Sequence, residues 1–198
     1  MKDQRLNKLI KISLLGACAF LLMFWEVPLP IFPDFLKLDI SDLPALIGAF
    51  ALGPVAGVIV ELLKNLLHFV FKNNTMGVGE LANFLVGAIL VFTSGVLYNR
   101  NKTKKNALIS LVIGSIVMTI GASILNYFVF LPLYESVLGW PISAVVGMGT
   151  KVNSNIKDLN TFIIWAIMPF NLLKAAIVST VTLLIYKRVS PILHNKKA

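Results

Sequence analysis

The sequence predicts an all-α, polytopic integral membrane protein with six transmembrane helices, and three observations carry that reading. Hydrophobic residues make up 57% of the chain and charged residues only 14%, against roughly 45–50% and 25% in soluble domains. The apolar residues collect into runs approaching the roughly 20 residues that cross a bilayer. Basic residues cluster beside those runs. A mean hydropathy of +0.83 gives a water-soluble fold of this size more apolar surface than it can hide, so lipid is the expected solvent.

The net charge of +9 would suggest nucleic acid in a soluble protein. Here twelve of the basic residues fall into three groups flanking apolar runs: Lys2, Arg5, Lys8 and Lys11; Arg100, Lys102, Lys104 and Lys105; Lys187, Arg188, Lys196 and Lys197. That is how the positive-inside rule marks cytoplasmic segments. A nucleic-acid surface would align its cations on one folded face with interleaved aromatics, so no nucleic-acid partner is expected. The single cysteine, Cys18, excludes an internal disulfide and a CxxC metal site. Set among Leu15, Gly16, Ala17 and Ala19, it reads as a small buried hydrophobe.

Breakers between the runs give approximate helices over 9–25, 42–52, 55–71, 80–98, 107–130 and 169–187, all in one membrane domain spanning 1–198. The first resembles a signal peptide, but its long apolar run lacks a small-x-small cleavage site, so it reads as a retained helix. Pro28, Pro30 and Pro33 keep residues 26–39 out of helix. Ser41 or Asp42 can cap the second helix, with Pro44 in its first turn, and Gly53-Pro54 ends it. Residues 131–168 read as a long mixed connection, and Pro169 as the first residue of the last helix. Six crossings with both termini cytoplasmic put all three basic groups inside; an odd count would misplace one.

Ionisable and amide side chains are costly in a bilayer and face the protein interior or a cavity. One set, Glu61, Lys64, Asn65 and His68, shares a helical stripe. Glu61 and Lys64 can pair with each other, or the stripe can meet a partner or move during transport. His68 reads as packed or interfacial rather than as a metal ligand, because no ligand cluster accompanies it. A second set gathers at the predicted outer ends: Asp39, Glu80, Asn83, Asn126, Asn171 and Lys174. Amides offer paired donors and acceptors and lysine adds a cation, which suits a flat heteroaromatic with polar edges. Leu38, Phe84, Tyr127, Phe128 and Phe130 are the candidate apolar walls. Each polar group can instead snorkel or cap a helix. No hydrolase, Walker A or metalloprotease motif is present, so no catalytic residue, metal or cofactor is expected. The protein reads as a binder rather than an enzyme.

The segment Leu38-Asp-Ile-Ser-Asp-Leu-Pro-Ala-Leu-Ile47, then Gly53-Pro-Val-Ala-Gly57, Glu61-Leu-Leu-Lys-Asn65 and Pro169-Phe-Asn-Leu-Leu-Lys174, resembles the substrate-binding S components of energy-coupling factor (ECF) transporters. Within that family the chain is most similar to the riboflavin-specific members. The resemblance implies a multi-pass protein of the cell membrane that captures riboflavin at the outer side and works with a membrane T component and two cytoplasmic ATPases. It implies a pocket lined by the first outer loop and helices four to six, where Asp39, Asn83, Asn126, Asn171 and Lys174 lie; with Leu38, Glu80 and Tyr127 from the residue reading, these are the candidate substrate-binding residues. The family's first helix carries an AxxxA docking motif. Its small-residue equivalent here is Ser13-Leu-Leu-Gly-Ala17, giving Ser13, Gly16 and Ala17 as a partner-docking face. The alternatives are an S component for another vitamin, a self-sufficient secondary transporter, or a membrane enzyme using Glu61, Lys64 and His68.

Overall fold

The computed structural model describes residues 2–194; Lys196 and Lys197 of the third basic group lie outside them. Helix α1 (Lys2–Met23) leads into the proline-rich loop, where β1 (Val27–Pro28) and β2 (Lys37–Leu38) pair antiparallel, Val27 opposite Leu38. The short helix α2 (Asp42–Leu52) follows and is buried from Asp42 to Ala51. A helix apolar on every side needs neighbours on every side. Here α1, α3 (Pro54–Phe71), α4 (Val78–Arg100) and α9 (Met168–His194) surround it. Helix α5 (Lys104–Leu125) packs on α4 and α9 and completes the bundle.

Ser41 holds the N-cap position of α2 but makes no cap bond. Its hydroxyl serves Asp39 and Lys64 instead. Gly53, at φ +105°, reverses the chain between α2 and α3 in a conformation that side chains rarely adopt. Gly57 then lets α3 close on α2, since a Cβ there would lie 2.7 Å from the carbonyl oxygen of Ala45. The buried stripe of α3 is Ala56, Gly57, Val60, Glu61, Lys64, Asn65 and His68, the i, i+3, i+4 pattern of one helix face.

Five helical stretches are long and apolar enough to cross a membrane: Gln4–Met23, Pro54–Phe71, Val78–Arg100, Lys104–Leu138 and Leu159–Arg188. The protein is an all-α, multi-pass membrane protein. Two expectations need correcting. The fifth span does not end at 130, and the last does not start at Pro169. Residues 131–168, expected as a mixed connection, form α6 (Leu131–Leu138), α7 (Ile142–Val152), α8 (Leu159–Phe162) and a π turn, Ile163–Ile167, that runs into α9. A matching π turn, Asn126–Phe130, joins α5 to α6. Each π turn closes with an i→i−5 bond, from the N–H of Leu131 to the carbonyl of Asn126 and from Met168 to Ile163. In both cases the next residue is proline, Pro132 or Pro169. Proline brings no N–H and its ring crowds the carbonyl four residues back, so the wider turn accommodates it without ending the helix.

Two cores result. One fills the bundle around Leu46, Phe50, Leu90, Leu111 and Val178. The other lies under the 131–167 segment, around Leu131, Val145, Ile156, Phe162 and Ile167, with Phe35 and Leu36 of the first loop packed against it. This second core makes a cap over the end of the bundle where α2 begins. At the opposite end, Phe50 stacks on Tyr98 at 4.1 Å, and Tyr186 meets both rings edge-on.

Candidate functional site

Between the cap and the bundle lies a cavity of about 720 Å³, within the range that holds drug-sized ligands. The bundle contributes Asp42, Glu80, Asn83, Asn126, Asn171 and Lys174; the cap contributes Tyr134, Trp140, Met148 and Lys151, and the first loop Phe35, Leu36 and Asp39. All six polar residues that topology gathered at one membrane side therefore line the same cavity. Leu38 and Tyr127 do not line it: Leu38 is held in the hairpin opposite Val27, and Tyr127 packs into the second core. Phe130 is fully buried in the bundle core, and Phe128 points away, 70% exposed. Phe84 does not line the cavity either. The extra residue of the π turn Asn126–Phe130 changes the facing of Tyr127, Phe128 and Phe130.

The polar wall is built on a ladder of buried charges. Lys174 donates to Asp39 at 2.9 Å and lies 3.6 Å from Asp42. Asp42 is also paired with Lys64, which lies 2.8 Å from Glu61 and donates to the hydroxyl of Ser41 at 2.8 Å. Glu61 and Lys64 do pair, as their spacing allows, but Asp42 joins them. Both are 0% exposed, so this part of the stripe cannot be a surface for a partner. Gly87 faces Glu61 so closely that a Cβ there would sit 2.7 Å from its Oε2. Spacing gave no sign of Asp42, because an aspartate opening a helix ordinarily serves as a cap.

Burial alone would raise the pKa of Asp39, but Lys174, Lys64 and the Ser41 hydroxyl outweigh it and hold the carboxyl well below the usual aspartate range. A depressed folded-state pKa means the group's stabilisation is complete above the ordinary value of 3.8 and is lost only as pH falls through the lower folded value. The loss of thermal stability in Asp39→Asn is therefore expected to be the same at about pH 5 as at about pH 7. A difference that closes at the lower pH would mean that Asp39 is already protonated there.

The amides are oriented by their own helices. Asn126 Nδ2 donates to the carbonyl of Ala122 at 2.8 Å and Asn171 Nδ2 to that of Ile167 at 2.9 Å. Each retains its carbonyl oxygen and a second N–H. The Asn83 Oδ1 is buried without a partner. At the rim, Glu80 accepts from Thr75 and meets His68 Nδ1, both at 2.9 Å. His68 is thus packed, as expected, but also lines the cavity. Glu26 takes Lys37 at 2.7 Å and Lys72 at 2.8 Å, tying the first loop to the end of α3.

Residues 7–186 match the family model described as ECF transporter, substrate-specific component. The chain belongs to that family. It is 42% identical to the riboflavin transporter RibU of Staphylococcus aureus (strain TCH60) over 97% of this chain and 95% of that protein. It is 34% identical to the riboflavin transporter FmnP of Bacillus subtilis (strain 168), over 98% and 97%. A solved chain described as "Structure and mechanism of the S component of a bacterial ECF transporter" superposes with a TM-score of 0.75 at 39% identity, covering 98% of this chain and 100% of that one. The family is that of a transporter's substrate-binding component.

The proposed docking face on α1 divides. Ser13 and Ala17 are exposed. Gly16 is not part of that face: it is buried against α3, where a Cβ would lie 3.1 Å from Leu63 Cβ. It therefore serves packing within this chain. Cys18 is likewise exposed rather than buried, on a helix whose apolar outer residues suit lipid.

Proposed function

We propose that this chain is the riboflavin-binding S component of an ECF-type vitamin uptake transporter. In this reading it is one membrane domain over 1–198 with six helices, α2 being the short sixth, and with both termini cytoplasmic. It captures riboflavin at the outer face and delivers it together with a membrane T component and two cytoplasmic ATPases. The orientation is supported by the basic residues Arg100, Lys102, Lys104 and Lys105, which lie at the end of the bundle away from the cavity.

The observation that carries the ligand assignment is the polar wall of Asp39, Asn83, Asn126, Asn171 and Lys174 inside a cavity of about 720 Å³, in a chain 42% identical to a riboflavin transporter. A flavin is a neutral, flat ring with donors and acceptors along one edge, and carries a polyhydroxyl tail. Back-bonded amides offering both a C=O and an N–H fit such an edge. Aromatic and thioether side chains such as Trp140 and Met148 supply apolar contacts for the ring faces. In this reading Glu80 would take the tail's hydroxyls, and Leu38 and Tyr127 would act by shaping the wall from behind.

The test is riboflavin titration of the detergent-purified protein, read by quenching of flavin fluorescence. Tight saturable binding by the chain alone is expected; its absence would remove the riboflavin assignment. Asn171→Ala and Lys174→Ala should each weaken binding by roughly 5- to 150-fold, the cost of about 1–3 kcal/mol for a buried hydrogen-bonding group left unsatisfied. Wild-type affinity in both variants would take these residues out of the site.

A further inference from the structure

The chain passes between the bundle and its cap twice by continuous helix, once from α5 into α6 and once from α8 into α9. Both passages are π turns, both are five residues long, and both are followed by one residue and then a proline. The two π turns pack against each other. Each also adjoins a cavity amide: Asn126 opens the first, and Asn171 bonds back to Ile167, the last residue of the second. On either side of these joints the helices are committed to different cores. Ala122 and Ala175 are buried in the bundle, whereas Leu131, Phe162 and Ile163 are buried in the cap.

A π turn holds one residue more than an α turn. Closing it rotates the helix beyond it by about 100° and shifts it by about 1.5 Å relative to the helix before it. Cap and bundle then cannot both keep their cores and still present the same cavity wall. We propose that Pro132 and Pro169 are positioning residues of the substrate site. Each stops its joint from relaxing to a regular α-helix and so sets the rotation at which the cap's Tyr134 and Trp140 face the bundle's Asn126, Asn171 and Lys174. This assignment rests on the riboflavin-binding reading. Neither proline need touch the ligand, since each acts through the amide beside its joint.

The test substitutes Pro132→Ala and Pro169→Ala, separately, in the full chain. Alanine restores the missing N–H and favours the regular helix. The expected result is a melting temperature equal to or above that of the wild type, with riboflavin affinity at least about tenfold weaker, or about 1.4 kcal/mol. The Asn171→Ala change should then add little in the Pro169→Ala background, because an amide already turned from the ligand has no contact left to lose. Wild-type affinity in both stable variants would overturn the proposal. So would loss of affinity and melting temperature together in both, which would make the prolines parts of the fold alone. Full additivity of Asn171→Ala with Pro169→Ala would also count against it. A wild-type protein that binds no riboflavin would sink the functional reading instead.

Discussion

Lys64→Met is expected to abolish the folded protein or lower its stability by about 3–5 kcal/mol, the cost of leaving a buried ion pair with one partner. Lys64 is 0% exposed and is the ammonium shared by Asp42 and Glu61. Its loss leaves Glu61 buried with no cation in contact and Asp42 with Lys174 alone, at 3.6 Å. Against a typical stability of about 5–15 kcal/mol, that change is comparable with the whole margin. Adding Glu61→Gln should recover part of the loss, because it removes the carboxylate left without a cation. Thermal unfolding in detergent, followed by size-exclusion chromatography, reads both effects. A Lys64→Met protein that melts like the wild type would show that the ladder contributes nothing to stability.

Ala17→Trp is expected to bind riboflavin with wild-type affinity when purified, yet to fail in uptake and in co-purification with the partner complex. Ser13 and Ala17 stack four residues apart on the exposed face of α1. Small residues there let another helix approach closely, since lipid gives apolar helices no hydrophobic drive to associate. An indole at position 17 holds a partner helix away while touching nothing in the cavity. Had this face packed inside the chain, the substitution would damage folding and binding together. Gly16 does pack inside, against Leu63, so Gly16→Trp is the contrasting variant and should lose stability. Normal uptake by a well-expressed Ala17→Trp variant would refute the docking role.

Much of this site was legible before any coordinates because lipid makes misplaced polarity conspicuous. Asn83, Asn126, Asn171 and Lys174 stand out within apolar runs, and counting crossings places them at one membrane side; the structure puts all four on one cavity wall. Topology told less about direction around each helix. Leu38, Phe84, Tyr127, Phe128 and Phe130 were expected as apolar walls, yet none of them lines the cavity, and the π turn at Asn126–Phe130 sets the facing of the last three. The cap was hidden for a related reason. Pro132, Pro141 and several glycines mark residues 131–168 as broken, but that region has its own core around Phe162 and Ile156. Proline's ordinary meaning, the end of a helix, hides the case in which the preceding turn widens and the helix continues. Asp42 stayed invisible because its sequence neighbourhood fits a cap, whereas its partners Lys64 and Lys174 are 22 and 132 residues away.

The three-ring cluster of Phe50, Tyr98 and Tyr186 closes the bundle at the end away from the cavity, and Leu46, Leu90 and Val178 fill the layer above it with no exposed surface. From Asn171 to Tyr186 is fifteen residues of α9, about 22 Å of helix, with closely packed side chains between, including the buried hydroxyls of Ser115, Ser179 and Thr182. Such a molecule is a cup and not a tube. Water and ions that enter the mouth have nowhere to go, so liposomes carrying the purified chain should hold a proton gradient as well as empty ones. A cell can therefore keep many solitary copies in its membrane, loaded or empty, without short-circuiting the potential across it.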